Sequence, residues 1–342
     1  MTGTSTRVSS PTLDEVAVLA GVSRATVSRV VNDSPRVSPE AREAVRAAVA
    51  ALSYVPNRMA RSLVTRRTDT IALVLSEPDA RIFSDPFFAS IVRGLNGALA
   101  STDINLVLLT ARDEREQEKA GRFVRQGHVD GVILMSLHSH DVLPAQLIAA
   151  GMPLVLCGRP LDDRPVAWVD ADNAGGARLA TEHLLAGGRR TVATISGPRD
   201  MVAGLDRLAG YRDALADAGH AADPRLVVEG DFTEGGGARA MEELLVRAPE
   251  LDAVFVASDP MAVGALRVLR AAGRDVPGDV AVVGFDDAPV ALRSDPPLTT
   301  VTQPLEEMTQ VMIELLLAQV DRTTDDVQTR VCPTRLVRRA SA

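Results

Sequence analysis

Cysteine and aromatic side chains are scarce in this 342-residue chain, which has two cysteines, seven phenylalanines, two tyrosines and one tryptophan. Cys157 and Cys332 stand far apart without metal-ligand spacing, which argues against a disulfide framework and suits a reducing compartment. Lysine is rarer still: Lys119 is the only one, and arginine carries the remaining side-chain positive charge. No run approaches eighteen apolar residues, and residues 1–10 lack the apolar core of a secretory signal, so a cytoplasmic location is expected. Catalytic signatures are missing too: there is no GxxxxGK followed by Ser or Thr, no GxSxG and no HExxH. An enzyme is not expected, and neither a cofactor nor a metal. His138-x-His140 is the only close histidine pair, and with no third ligand near it in sequence it reads as loop.

What is present is a globular composition, 46% hydrophobic and 24% charged, in a chain long enough for two or three domains. Charge is unevenly placed. Residues 1–67 hold ten arginines against Asp14, Glu15, Asp33, Glu40 and Glu43, a net of +5, in a chain whose formal net charge is −8. A basic head on an acidic body points to a polyanion-binding module attached to something else.

The head reads as three helices. Thr12-Leu13-Asp14-Glu15 has the spacing of a capping box, and Leu13, Val16, Ala17 and Ala20 repeat at helical intervals. Gly21 supplies a turn, Ser23 caps a second helix through Val30, and Ser38-Pro39-Glu40 opens a third that runs to about Leu52. Past Thr68, β-rich runs near residues 70–75, 104–109, 129–135 and 153–157 alternate with helical stretches. A second set follows at 191–195, 226–229, 253–257 and 280–285. Such alternation is the pattern of parallel α/β architecture, and two sets predict two lobes with a cleft between them. Gly235-Gly236-Gly237 reads as a flexible entry to a helix, and Trp168 as buried near the lobe crossover.

A helix-turn-helix of this length sets its second helix to enter a major groove. Arg24, Ala25 and Arg29 are then the base-facing positions, because a guanidinium can give two parallel hydrogen bonds to guanine. Ser23, Thr26, Ser28 and Asn32 have the short polar groups that suit phosphate contacts. In the body, Ser258 with Asp259 ends one strand and Asp286 another, the strand ends where ligands of such sheets bind.

Residues 12–64, TLDEVAVLAGVSRATVSRVVNDSPRVSPEAREAVRAAVAALSYVPNRMARSLV, resemble the lactose-repressor (LacI/GalR) family of bacterial transcription regulators almost without a gap. Family-like features continue at Asp85 to Phe88, Asp172-Asn173, Arg207 to Tyr211, Ser258 to Leu266 and Gly284 to Asp287. The resemblance implies a helix-turn-helix head over residues 1–56, a hinge helix and linker over 57–68, and a two-lobed periplasmic-binding-protein-like effector domain over 69–342. The N-lobe is expected at about 69–168 plus 299–324, and the C-lobe at about 169–298 plus 325–338. It further implies a homodimer on a pseudo-palindromic operator, with Leu63 wedged into the minor groove and Tyr54, Asn57 and Arg58 holding nearby backbone or groove edges.

By the same resemblance Arg207 and Asp286 anchor a small-molecule effector, Ser258 is the polar strand-end position and Phe232 the aromatic wall. Phe87 and Phe88 close the cleft, and Arg159 faces it. A carbohydrate is the expected effector, with a purine or other metabolite acting as corepressor the alternative, and the expected action is release of operator DNA on ligand binding. The chain ends without apolar heptads, so a dimer rather than a larger assembly is expected. A sugar solute-binding protein without DNA function is the rival from another class, and the expected absence of an export signal weighs against it.

Overall fold

The structure, a computed structural model, describes residues 11–31, 36–54, 67–221, 223–324 and 326–342. The chain divides into two units, Met1–Thr68 and Asp69–Ala342. In the first, helices α1 (Leu13–Ala20), α2 (Arg24–Val31) and α3 (Pro39–Leu52) surround a small core of Val16, Ala17, Val27, Val30, Val45, Ala48 and Tyr54. The capping box is formed: the Glu15 amide donates to Thr12 Oγ1 at 3.3 Å and the Thr12 amide donates back to Glu15 Oε2 at 2.6 Å. Gly21 ends α1 at φ +64°, a left-handed conformation that costs glycine nothing and turns the chain sharply into α2.

The second unit has two lobes. The first contains a six-stranded sheet ordered β11-β5-β4-β3-β1-β2, parallel throughout. Its strands are β1 (Thr70–Leu75), β2 (Asn105–Thr110), β3 (Gly131–Met135), β4 (Leu154–Cys157), β5 (Ala167–Ala171) and β11 (Thr329–Cys332). Both faces are covered, so β1 is apolar on both sides. Ile71, Leu73 and Leu75 pack with Phe88, Ile91, Leu95, Met312 and Leu316, while Ala72 and Val74 face Ala120, Val124, Leu143 and Leu147. Between β1 and β2 lie α4 (Asp79–Ser84) and α5 (Pro86–Leu99). The helices α6 (Glu114–Phe123) and α7 (Leu143–Ala149) follow β2 and β3.

In the second lobe β6 (Val192–Ser196), β7 (Val227–Glu229), β8 (Ala253–Val256) and β9 (Ala281–Val283) form a parallel sheet ordered β7-β6-β8-β9. Helices α8 (Asn173–Ala186) and α9 (Val202–Asp217) contribute to one core, and α10 (Glu234–Arg247) and α11 (Asp259–Ala271) to the other. A short helix α12 (Pro289–Arg293) follows β9, β10 (Thr300–Thr302) pairs antiparallel with β12 (Arg335–Val337), and α13 (Leu305–Val320) returns to pack in the first lobe. Among the described residues no helix is long and apolar enough to cross a membrane.

Three details depart from the sequence-based expectation. The chain crosses between lobes after β5, between β10 and α13, and between β11 and β12. The first lobe therefore keeps residues through Ala171 and regains Thr329–Cys332, whereas Thr300–Thr302 belongs with the second. The strands that move these boundaries are short and partly polar, and their sequence carries no long apolar run. Gly235, Gly236 and Gly237 are the first turn of α10 rather than a flexible entry: a Cβ on Gly237 would collide with the Met261 backbone, so its lack of a side chain lets α10 and α11 approach closely. Trp168, on β5 just before the first crossing, is half-buried.

Thr12→Ala removes the side-chain half of the capping box and should destabilise the head by about 1 kcal/mol. Hydrogen exchange on the intact chain should then show faster exchange in α1 and unchanged protection in β3 and β8.

Candidate functional site

In the head, α2 separates its faces cleanly. Val27 and Val30 are buried, while Arg24, Ala25 and Arg29 are exposed and Ser28 is half-buried. The exposed positions follow the spacing i, i+1, i+5, which puts both guanidiniums on the side away from the core. Arg24 Nε lies 3.6 Å from Asp14 Oδ1, both well exposed. Such a pair contributes between 0 and about 1 kcal/mol and is readily exchanged for another anion. Ser23 and Thr26, expected to touch phosphate, also cap the helix: the Thr26 amide donates to Ser23 Oγ at 3.1 Å, and the two hydroxyls are 2.9 Å apart. Tyr54, expected at a groove edge, has its side chain buried in the head core. Asn32, Asn57, Arg58 and Leu63 lie outside the described residues.

The second site is a cavity of about 100 Å³ between the lobes of the body, lined by residues of both. It opens at the carboxyl ends of both sheets. Ser136 follows β3, Gly158 and Arg159 follow β4, Phe232 follows β7, Ser258 follows β8 and Asp286 follows β9. Ser136, Phe232 and Asp286 also have positive φ (57°, 62° and 106°), three of the seven non-glycine residues so held among those described. Strained backbone of this kind persists only where the surroundings enforce it, and it gathers at ligand sites.

Arg207, on α9, is the centre of the cavity wall and is buried. Its Nε donates to Asn173 Oδ1 at 2.8 Å, and Nη1 donates to the Ala257 carbonyl at 2.5 Å and to Asp286 Oδ1 at 3.4 Å. The guanidinium carbon lies 3.7 Å from the Phe285 ring centre. Among the described residues Nη2 has no hydrogen-bond partner, which leaves a donor for a bound molecule. Asp286 also accepts from Gln303 Nε2 at 2.7 Å. Burial pushes the Asp286 carboxyl up to about 6, with Arg207 opposing the rise. Burial lowers the pKa of Arg207, against the pull of Asp286 and Asp170.

Of the other expected residues, Phe87, Phe232, Ser258 and Arg159 line the cavity. Ser258 is at the same time the N-cap of α11, accepting from the Met261 amide at 3.4 Å. Arg159 Nη2 binds both oxygens of Asp206 across the lobes, at 2.7 and 2.9 Å. Phe88 does not line the cavity: it is 2% exposed and packed in the first lobe's core, one helical step from Phe87 and edge-on to it at 5.7 Å between ring centres. Asp259 and Asp287 are occupied by fold contacts. Asp259 accepts from Thr300 Oγ1 at 2.6 Å and the Ala288 amide at 2.7 Å, and Asp287 accepts from Arg339 Nη2 at 2.5 Å.

Several lining residues escaped the sequence reading. Arg81, on α4, lies 4.9 Å from the Phe232 ring centre and is ion-paired with the buried Glu77; its Nε is buried with no hydrogen-bond partner among the described residues. Asp85 caps α5, accepting from the Phe87 amide at 3.0 Å, and its carboxyl is raised by burial. Asn173 and Gln303 stand at two of the lobe crossings. Asp85 and Asn173 fall in family-like motifs without having been assigned to the site, the i, i+4 spacing to Asp85 is the one signal for Arg81, and Gln303 carried none. At the cavity mouth the structure also gives the His138–His140 pair a neighbour from the other lobe. His138 Nδ1 is 2.7 Å from Asp200 Oδ2, and hydrogen bonding, to Glu77 first and then to Asp200, lifts the imidazole to about 9 against burial.

A reading helix on a compact head, joined in one chain to a two-lobed receptor with a polar and aromatic cleft, defines a ligand-responsive DNA-binding regulator. The chain belongs to the lacI family of bacterial regulatory proteins. The family model for the DNA-binding region matches residues 12–57, and a periplasmic binding protein-like domain model matches residues 181–342. The HTH-type transcriptional regulator CelR of Thermobifida fusca is 53% identical over 333 residues, spanning 97% of this chain and 98% of that one. GalR of Escherichia coli K12 is 38% identical, over 96% and 95%. Among solved structures, a CelR–cellobiose complex aligns with a TM-score of 0.79 at 51% identity, covering 97% of this chain and 100% of the other. The lac repressor dimer bound to operator and an anti-inducer aligns at 0.86 with 29% identity, covering 97% and 99%.

The two adjacent phenylalanines should separate in their effects. Phe88→Ala should lower the unfolding free energy by about 3–5 kcal/mol, the usual loss for a core aromatic. Phe87→Ala, in chemical denaturation of the same chain, should cost less than half as much.

Proposed function

We propose that this protein is a cytoplasmic transcriptional repressor, not an enzyme, that binds a two-fold symmetric operator as a homodimer and releases it when a neutral gluco-oligosaccharide of the cellobiose type enters the cleft. Arg24, Ala25 and Arg29 read the major groove. Residues 57–63, with Asn57, Arg58 and Leu63, supply the minor-groove contact. The observation that carries this reading is the Arg207–Asp286 pair facing the cavity beside Phe87 and Phe232, in a chain 51% identical to a regulator solved with cellobiose.

The chemistry of the lining supports a sugar. Its charged residues balance, with Arg81, Arg159 and Arg207 against Asp85, Asp170 and Asp286. Each arginine is already paired with a carboxylate. A formally neutral lining suits an uncharged hydroxyl-rich molecule better than a phosphate. Asp286 accepts from sugar hydroxyls, Arg207 Nη2 donates to a sugar oxygen, and the phenylalanine faces cover the apolar side of a pyranose. For ligand to release DNA, it must bind one lobe arrangement more tightly than the other, and operator binding must weaken ligand binding by the same factor.

A gel-shift titration on a duplex selected in vitro by the full chain tests this. Cellobiose should dissociate the wild-type complex. Arg207→Ala should still bind the duplex but no longer respond to cellobiose, and a retained response would move the pocket elsewhere. Cellobiose affinity should also fall as pH drops below about 6, where the raised Asp286 carboxyl takes up a proton and loses acceptor capacity. Calorimetry across that range should show the dependence in the wild type and its disappearance in Asp286→Asn.

A further inference from the structure

His138 and His140 sit in the loop after β3 in the first lobe, and Asp200 in the loop between β6 and α9 in the second. One donor atom from each of the three lies within 4.8 Å of the others. Asp200 Oδ2 is 2.7 Å from His138 Nδ1 and 3.9 Å from His140 Nδ1. Two donors that share a tetrahedral ion at roughly 2.0–2.2 Å stand about 3.4 Å apart. The two separations to Asp200 lie on either side of that value and the two imidazole donors lie within 4.8 Å of each other, so side-chain shifts on the order of 1 Å would seat an ion there.

The surroundings hold these donors in place. The Ser139 amide donates to the Asp200 carbonyl at 2.9 Å, joining the two loops through backbone rather than through the ligating side chains. The His138 amide donates to Asp141 Oδ2 at 2.9 Å, which fixes the turn that sets the two imidazoles 5.4 Å apart. On the far side of His138, Nε2 lies 3.5 Å from Oε1 of Glu77, whose side chain is 3% exposed and anchored by Arg81. A carboxylate on the second nitrogen of an imidazole fixes the tautomer that leaves the first nitrogen free, the arrangement found behind metal-bound histidines.

We infer that His138, His140 and Asp200 form a transition-metal site of the zinc class that clasps the two lobes at the cavity mouth. Two imidazoles and one carboxylate provide three ligands, and water takes the fourth position. Nitrogen donors select zinc, nickel, cobalt or copper over magnesium and calcium, which take oxygen ligands. Because the ligands come from both lobes, the ion favours the approach of the lobes. If the cleft binds an effector on closure, the two bind cooperatively. That last step rests on the function proposed above; the site itself does not.

The test is equilibrium dialysis and calorimetry of the untagged full chain with Zn²⁺, without DNA or sugar. The wild type should bind one ion per chain and show no comparable response to Mg²⁺. His140→Ala and Asp200→Asn should each weaken binding by about tenfold or more. His140 is exposed and among the described residues its ring pairs only with Asp200 and His138, so its loss should leave the thermal unfolding midpoint unchanged without metal. His220→Ala, on the far side of α9, should bind as the wild type does. Cobalt should give the visible absorption of a tetrahedral ion in the wild type and lose it in His140→Ala. Failure of the wild type to bind Zn²⁺, or wild-type affinity in both ligand variants, would overturn the site while leaving the cellobiose reading untouched.

Discussion

The body of this protein is organised around one buried cation. A guanidinium deprived of water is tolerable only when neighbours replace its hydration, and removing one partner of such a buried pair typically costs about 3–5 kcal/mol. Arg207 draws those neighbours from separate parts of the second unit: Asn173 at the first lobe crossing, the Ala257 carbonyl at the end of β8, Asp286 after β9, and the ring of Phe285. Gln303, at the second crossing, completes the set by donating to Asp286. The buried guanidinium of the cavity wall is thus bonded, directly or through Asp286, to residues at two of the lobe crossings.

Around this pair, the cavity mouth is spanned by contacts that each need both lobes in position. Arg159 reaches Asp206, Arg81 lies against Phe232, and His138 meets Asp200. The first and third are charge-bearing contacts at partly exposed sites, individually modest in water, while the second lays a largely buried guanidinium against a buried ring. Their sum can tip a balance between lobe arrangements without locking it, which suits a receptor whose ligand must shift that balance by its own differential affinity. The packed faces of the two sheets behave differently. Their aliphatic interiors resist deformation and let each lobe move as a unit.

The head works by another economy. Its core is small, so a substantial share of its definition comes from helix ends: the reciprocal Thr12–Glu15 bonds, the left-handed Gly21, the Ser23 and Ser38 caps, and Pro39 at the start of α3. Such local devices leave the outer face of α2 free of structural duties: Arg29 is exposed, and among the described residues Arg24 is paired only with the exposed Asp14. A reading surface needs that freedom, because a guanidinium already committed to the fold could not be surrendered to a base.

Sequence alone determined whatever depends on near neighbours or on a long periodic pattern. The three head helices and their caps, the alternation of eight strands with helices in two sets, and the aspartate of the cleft declare themselves through spacing, capping chemistry or strand-end position, whereas the arginine of the cleft came from the family resemblance that the motifs carry. Tertiary structure decided what depends on groups distant in sequence. It separated Phe87, at the cavity, from Phe88, in the core, a difference set by which side of one helix meets the sheet. It turned Tyr54 inward, brought Arg81, Asn173 and Gln303 to the site, and gave β5, β10, β11 and β12 their places as short strands defined by pairing partners rather than by apolar runs. It also gave an isolated histidine pair its third donor, since Asp200 stands sixty residues away along the chain and reaches His140 only because two lobes close over one cleft.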